Sequence, residues 1–599
     1  MDGLKRFLPQ NSRDVLASLY VDDLAISVRS RNLATAEKTL QSIINNVNRW
    51  AVSNGMKFSS TKSVCVDFNN KRGICPDPTL KIGDDVIQSV ESVKFLGVHF
   101  DRRLTFKPHL QYTKTRCLKA LTLLKVTAAR GLGADRDAKL MLYRALVRSK
   151  LDYGSIVYSS ARPSYLKTLD TIQNQGLRIA LNAYRTSPAA SLRVEANERP
   201  IDLRHLQLAM MYFTKCHAND SNPARQLTEN ESHDVRFALR HRFIRPLRHR
   251  VQDHLENASI DMQIIHSAPN PLSPPPPPPP LPDAYEPPRY LQPPPWRLQL
   301  PKVDLTLATF SKQFTNSDNF RMEFILRKMH YPGATFIYTD GSKCHEKTAS
   351  AYCFDDVRHG VRITDNASVF TAELYAIKLA LLRLQQVREQ NTFVICSDSL
   401  SALKSLQNGL LHNPLVAEVL YVYNAIRGRQ LTFLWIPSHV GIHGNELADT
   451  LAKFALHRDV IVDVKLPFRD LRPLVTSYVT GLWRSDWEND STNKLQRIGA
   501  SVDSLRPMMK SRREETVLTR LRIGHSHLTH AHLLRGDPPP SCEYCRRPLS
   551  IRHLLITCPC YVPIRSRHYR SNNLTHLLTY VQPSRIFSFL TEIKLFENI

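Results

Sequence analysis

The sequence predicts a multidomain α/β protein, and three observations carry that prediction. Strand-length apolar runs alternate with helical stretches in both halves of the chain. Seven consecutive prolines, Pro274–Pro280, with more at Pro287, Pro288 and Pro293–Pro295, divide it near the middle. A Cys-x2-Cys pair followed by a histidine and a third cysteine lies near its end. At 599 residues the length suits about three to five domains.

In chain order, the apolar runs LASL and LAISV flank Tyr20-Val21-Asp22-Asp23, which predicts a hairpin with paired aspartates at its turn. Ahead of the prolines, Arg236, Arg240, Arg242, Arg245, Arg248 and Arg250 fall within fifteen residues, a candidate phosphate-contacting arm. The proline run itself cannot donate backbone hydrogen bonds. It predicts a stiff polyproline II spacer of roughly 20 Å at ~3.1 Å per residue.

Four acids follow, each in its own setting. Thr335–Tyr338 read as a buried strand with a turn at Gly341-Ser342, which puts Asp340 at a strand end. Glu373 lies on a largely buried helix opened by Ser368, and Asp398 closes the apolar run TFVICSD ahead of another helix. Asn445 is placed to cap a helix that carries Asp449 in its first turns. Carboxylates brought together repel one another unless divalent cations neutralise them, so convergence of these four would imply chemistry. Trp483 and Trp487, four residues apart, read as helix core.

Near the end, Cys542, Cys545, His553 and Cys558 offer three thiols and an imidazole at a spacing suited to tetrahedral Zn²⁺. Cys560 competes with Cys558 for that role, and His525, His527, His530 and His532 compete with His553. The chain carries 81 Lys+Arg against 54 Asp+Glu, a formal charge of +27, which favours polyanionic partners through counterion release. No apolar run approaches the ~18 residues of a spanning helix, and the first thirty residues hold no signal-peptide core. Membrane insertion and secretion are therefore not expected, and an intracellular location, cytoplasm or nucleus, is. Eleven scattered cysteines fit reduced thiols better than a disulfide framework.

TDGSK, TAELYAI, SDSLSAL and WIPSHVGIHGNELADTLAK resemble, in order, the signature segments of ribonuclease H as carried by non-LTR (LINE-type, jockey/I-like) retrotransposons. That resemblance implies a mixed five-stranded sheet with helices and hydrolysis of the RNA strand of RNA–DNA hybrids. By the same match Asp340, Glu373, Asp398 and Asp449 are ligands of two Mg²⁺ ions, and His439 assists proton transfer or product release. Two metals about 3.5–4 Å apart suit in-line displacement at phosphorus. Ser342 and Lys343 are candidates for contact with the substrate backbone. YVDD from Tyr20, WAVSNGMKFSSTKS from Trp50 and VKFLGVHFD from Val93 resemble later palm motifs of the reverse transcriptases of these elements. LDYGSIVYSS and LDTIQNQGLRIALNAYRTSP look like their helical thumb, and the Cys-Cys-His-Cys end resembles theirs.

The expected organisation is an incomplete palm at 1–115, a helical thumb at 116–215, a basic arm and linker at 216–330, ribonuclease H at 331–460, a helical connector at 461–540 and a zinc segment at 541–599. Only 19 residues precede Tyr20, and Asp2 and Asp14 lie in no strand pattern, so the palm metal site lacks a partner for Asp22 and Asp23. The expectation is a fragment truncated at its N-terminus, with polymerase activity lost and ribonuclease H retained. Residues 325–465 are expected to suffice for cleavage in Mg²⁺. The competing expectation is a domesticated, nonenzymatic nucleic-acid binder.

Overall fold

The computed structural model describes residues 4, 7–8, 14–69, 76–128, 134–218, 222, 224–225, 246–265, 298–311, 314–387, 392–411, 413–426, 429–503 and 509–599. The proline-rich segment and Arg236, Arg240, Arg242 and Arg245 lie outside these residues. The chain forms two compact units, residues 1–205 with 483–599, and residues 206–482.

In the first unit, β1 (Val15–Tyr20) and β2 (Asp23–Val28) form an antiparallel hairpin whose last pair is Tyr20 with Asp23. Val21 adopts φ 54° at the tight turn, so Asp22 sits in the turn and Asp23 opens β2, both exposed. Helix α1 (Leu33–Ser53) begins at Asn32, whose side chain accepts from the Ala34 amide, and buries Ile43, Val47, Trp50 and Ala51. Three short strands, β3 (Val64–Cys65), β4 (Leu80–Ile82) and β5 (Asp85–Ser89), make a second sheet. The hairpin of β6 (Ser92–Phe95) and β7 (Val98–Asp101) makes a third.

Helices dominate from there on. α2 (Lys107–Thr127) and α3 (Pro163–Leu181) pack through Leu121, Leu124, Leu169, Ile172 and Leu177. A Cβ on Gly176 would lie 2.6 Å from the Tyr143 ring, so only glycine allows this approach. Trp483 and Trp487 are buried with Leu521, Leu577 and Phe589, and the Trp487 indole donates to the Ala500 carbonyl at 2.7 Å. Both tryptophans are core, as their spacing suggests.

The second unit is built on a mixed sheet of β8 (Lys302–Asp304), β9 (Thr335–Cys344), β10 (Lys347–Phe354), β11 (Val357–Ile363), β12 (Phe393–Ser397), β13 (Leu431–Trp435) and β14 (Ile461–Val462). The spatial order is β14-β11-β10-β9-β12-β13-β8. β9, β12, β13 and β8 run parallel, while β10 is antiparallel to both neighbours. The central strands β12 and β13 are buried at every residue, which explains their unbroken apolar composition. Seven strands replace the five expected because a short strand is added at each edge. Neither β8 nor β14 is long enough to leave a period in the sequence.

β8 is held from inside the fold. The Asp304 carboxylate accepts from Arg327 Nε at 2.5 Å, Tyr331 Oη at 2.6 Å and Thr306 Oγ1 at 2.7 Å. Burial would raise its pKa, but these donors override burial and hold it down at about 2. The helix Ser317–Lys328 buries Phe320 and Phe324, and the Phe324 ring packs edge-on against Phe336 and Tyr338 of β9.

Four more helices complete the unit: α4 (Val369–Gln386), α5 (Leu400–Gln407), α6 (Pro414–Ala425) and α7 (His443–Ala455). Ser368 caps α4 through the Thr371 amide, as its sequence position suggests. Asp470 adds a second cap by accepting from the Ser368 amide at 2.9 Å and Thr371 Oγ1 at 2.6 Å. Among the described residues no helix is long and apolar enough to cross a membrane.

Candidate active site

Two sequence expectations about the acidic residues change in the structure. β9 does not turn at Gly341-Ser342; it continues to Cys344 because Gly341, Ser342, Lys343 and Cys344 all pair with β10. Asp340 is therefore within a strand, but just beyond the point where pairing with β12 stops at Thr339. That leaves room for its carboxylate beside the end of β12. Gly341 is required by packing rather than by a turn: a Cβ there would lie 2.6 Å from the Glu373 amide nitrogen.

The second change concerns Asn445. α7 starts at His443 with Ile442 at its N-cap position, and no side chain caps it. Asn445 lies inside the first turn, buried, and its Nδ2 donates to Asp398 Oδ2 at 3.4 Å. Asp449 follows one turn later.

Donor atoms of Asp340, Glu373 and Asp398 all lie within 4.8 Å of one another. Asp340 comes from β9, Glu373 from the second turn of α4, and Asp398 from the residue after β12. Asp449 faces this trio closely enough for its charge to act on Asp340. Its own near neighbours are His439 and Glu446, whose donor atoms lie within 4.8 Å of it, and Lys453, whose ammonium is 2.7 Å from Asp449 Oδ2. Glu446 escaped the sequence reading, although its position three residues before Asp449 puts both on one helix face. His439 is exposed, in a loop at φ 56°, a conformation that costs energy for a residue with a side chain. Ser342 is part-buried, and the Lys343 ammonium is already engaged by the Ala367 carbonyl at 2.7 Å.

The electrostatics of the trio are those of unneutralised carboxylates. Burial, then the charges of Asp398 and Asp449, push Asp340 up to about 7. Burial, then Asp340 and Asp398, raise Glu373 well above the usual carboxylate range. Glu373 Oε2 is buried without a hydrogen-bond partner. Hard divalent cations take oxygen ligands, and a buried carboxylate oxygen with no donor beside two further carboxylates is a donor set that fits them.

A pH dependence follows. Asp340 and Glu373 titrate higher in the folded than in the unfolded chain, so the protons they retain stabilise the fold fully below about pH 4. That contribution is lost as pH rises through about 7 for Asp340, and the raised Glu373 carboxyl adds a loss of the same sign. In chelator, the thermal midpoint should fall between pH 5 and pH 8 (on the order of the window set by these groups), and Mg²⁺ should flatten the decline. A midpoint with the same pH profile in chelator and in Mg²⁺ would contradict the arrangement.

In the first unit, donor atoms of Cys542, Cys545, His553 and Cys558 also lie within 4.8 Å of one another. Cys542 Sγ and Cys558 Sγ are 3.9 Å apart, and Cys545 Sγ is 3.3 Å from His553 Nε2. Tetrahedral Zn–S bonds of ~2.3 Å put sulfurs roughly 3.8 Å apart. Burial opposes ionisation of Cys542, but the Cys545 amide, His553 and the Tyr544 amide outweigh it and bring the thiol down to about 6. Burial, with Cys542 adding to it, pushes Cys558 up to about 11. Cys560 is exposed and lies outside the group, and His525, His527, His530 and His532 also lie outside it. Of the arginine arm, Arg248 and Arg250 are part-buried on the helix Leu247–Asn257, where Arg248 Nε donates to Gln252.

Residues 332–457 match the family model described as RNase H. The chain is 27% identical over 227 residues to the RNA-directed DNA polymerase from the mobile element jockey of Drosophila melanogaster, covering 36% of this chain and 24% of that protein. It is 28% identical over 251 residues to the corresponding Drosophila funebris protein, covering 41% and 26%. The "Retrovirus-related Pol polyprotein from type-1 retrotransposable element R1" of Bradysia coprophila is 24% identical over 186 residues, covering 31% and 18%. A solved structure of RNase H1 from the archaeon Halobacterium salinarum NRC-1 aligns with 98% of its own length and 21% of this chain, at 21% identity and a TM-score of 0.18. The chain spans about a quarter of the length of the jockey relatives. The chain is thus similar, over part of its length, to the RNA-directed DNA polymerase of the mobile element jockey and to the Pol polyprotein of the retrotransposable element R1, and its residues 332–457 match the RNase H family.

Proposed function

We propose that this chain cleaves the RNA strand of RNA–DNA hybrids endonucleolytically in a reaction that depends on divalent metal, with Asp340, Glu373, Asp398 and Asp449 as the metal-holding groups. The observation that carries this reading is the meeting of three carboxylates from separate elements, Asp340 and Glu373 buried and Asp398 half-buried, with one Glu373 oxygen left unpaired. Bound Mg²⁺ would supply charge neutralisation for the phosphate and activation of water. The protein's own groups do the rest. Asp340 and Glu373 would hold the cations from a buried strand and a buried helix turn. His439, exposed beside Asp449 and Glu446, moves a proton between the site and solvent. Cleavage of a labelled hybrid by the full chain in Mg²⁺, with duplex DNA left intact, tests the reading; an uncut hybrid refutes it.

Nucleic-acid grip is proposed for two further regions, the arginine arm including Arg242, Arg245, Arg248 and Arg250, and the cysteine-rich segment with zinc in a structural role. Cys542, Cys545, His553 and Cys558 would hold the ion and so fix the loop bearing the exposed Arg546 and Arg547. Cobalt substitution should give a thiolate charge-transfer band. Cys542→Ser should lower zinc content from about one ion per chain to near zero. Full zinc retention in that variant would remove the assignment.

We further propose that the chain alone does not synthesise DNA. Asp22 and Asp23 are exposed on a two-stranded hairpin and join no group of three donors among the described residues. No primer extension is expected with template, primer and nucleotides; any extended product would overturn this.

A further inference from the structure

Asn445 is out of place by ordinary helix rules. It lies within the first turn of α7, caps nothing, and is only 2% exposed. Asparagine is a poor helix former because its amide competes for nearby backbone groups. Here the amide does something else: Nδ2 donates to Asp398 Oδ2 at 3.4 Å, while Oδ1 is buried with no hydrogen-bond partner. The opposite assignment of the amide would set its oxygen against a carboxylate oxygen, so the donor-toward-Asp398 orientation is the favourable one.

The preceding residue fixes where this amide sits. A Cβ on Gly444 would lie 2.2 Å from the Tyr338 ring, so the start of α7 rests directly on β9, two residues before Asp340. Asn445 then reaches from that contact to the residue after β12. One side chain thereby ties Asp398 to the helix that carries Asp449. Its uncommitted Oδ1 belongs to the same amide and so lies near the carboxylates too. Burying an acceptor without a donor is unfavourable, and the polar setting is one in which a water satisfies it.

We infer that, given the ribonuclease H reading, Asn445 is a positioning residue: its Nδ2 holds the Asp398 carboxylate in its cation-binding orientation, and its Oδ1 accepts a hydrogen bond from a water held in the site. It supplies no ligand and transfers no proton. It sets the geometry of a residue that does bind.

The test compares the full chain with Asn445→Ala, Asn445→Leu, Asp398→Asn and the Asn445→Leu/Asp398→Asn double variant. The readouts are Mg²⁺ affinity by calorimetry, and kcat and KM on a hybrid. Asn445→Leu should weaken Mg²⁺ binding and lower kcat by about 10–100-fold, as loss of a partner orienting a ligand does, with KM for the hybrid unchanged. On the Asp398→Asn background it should cost nothing further, because there is no carboxylate left to orient. If the leucine variant does not fold, Asn445→Ala, which opens space instead of filling it, decides by the same readouts. Wild-type affinity and kcat, or an equal loss on both backgrounds, would overturn the assignment, as would an absence of Asp398-dependent Mg²⁺ binding. Should the wild type bind Mg²⁺ through Asp398 and leave the hybrid uncut, the nuclease reading falls while the orienting role stands on affinity alone.

Discussion

Asp398→Asn should reduce hybrid cleavage by at least about 10²–10³-fold, the range typical of removing a group that stabilises charge at a reacting centre. The same change should raise the thermal midpoint of the metal-free protein. Asp398 contributes to the upward shifts of both Asp340 and Glu373, so replacing its charge relieves repulsion that the cation-free fold otherwise bears. The opposite signs matter. A variant that loses activity because it misfolds loses stability too, whereas this one should trade cleavage for stability. Unchanged cleavage would remove Asp398 from the site, and a lowered midpoint would show that the packing account around it is wrong.

Residues 325–465 should fold poorly and cleave little, whereas residues 298–482 should fold and cleave. The shorter segment cuts the helix Ser317–Lys328 and discards Phe320 and Phe324, both buried, the second against β9. It also discards β8 with Asp304, and Asp470, which holds the start of the helix carrying Glu373. Loss of a buried phenylalanine costs about 3–5 kcal/mol, and two such losses rival the whole ~5–15 kcal/mol stability of a domain. Unfolding curves and Mg²⁺-dependent cleavage of the two segments decide the matter. A cooperative transition for 325–465 at the midpoint of 298–482 would contradict this account. Poor folding and weak cleavage by 325–465 would run against the sequence expectation that this segment suffices.

Much of the site was readable because its signals are local. Ser368 marks a helix start, TFVICSD is a buried strand with an acid at its end, and Glu373 sits in a helix whose apolar residues identify themselves. The misreadings share one cause, which is that a distant partner decided the local conformation. Gly341-Ser342 has turn composition, but pairing with Ser350 and Ala349 of β10 keeps it extended. Asn445 has cap composition, yet Asp398, 47 residues away in sequence, claims its amide. β8 spans three residues and is specified by the contacts of Asp304 with Arg327 and Tyr331, which no periodicity announces. The histidine and cysteine alternatives near the end were likewise undecidable from spacing. Only the fold brings His553 to Cys545 and leaves Cys560 outside.

The contact at Gly341 gives the site an unusual ruler. Asp340 and Glu373 stand on elements whose main chains touch, with a missing methyl group as the only clearance between them. Their separation is thus set by two peptide backbones and not by the lengths of packed side chains. Exchanges among the apolar residues behind α4 can loosen the core without changing the reach between the two acids. A single added carbon at position 341 would instead change that reach and leave every donor in place, converting a question about which atoms bind into one about how far apart they stand.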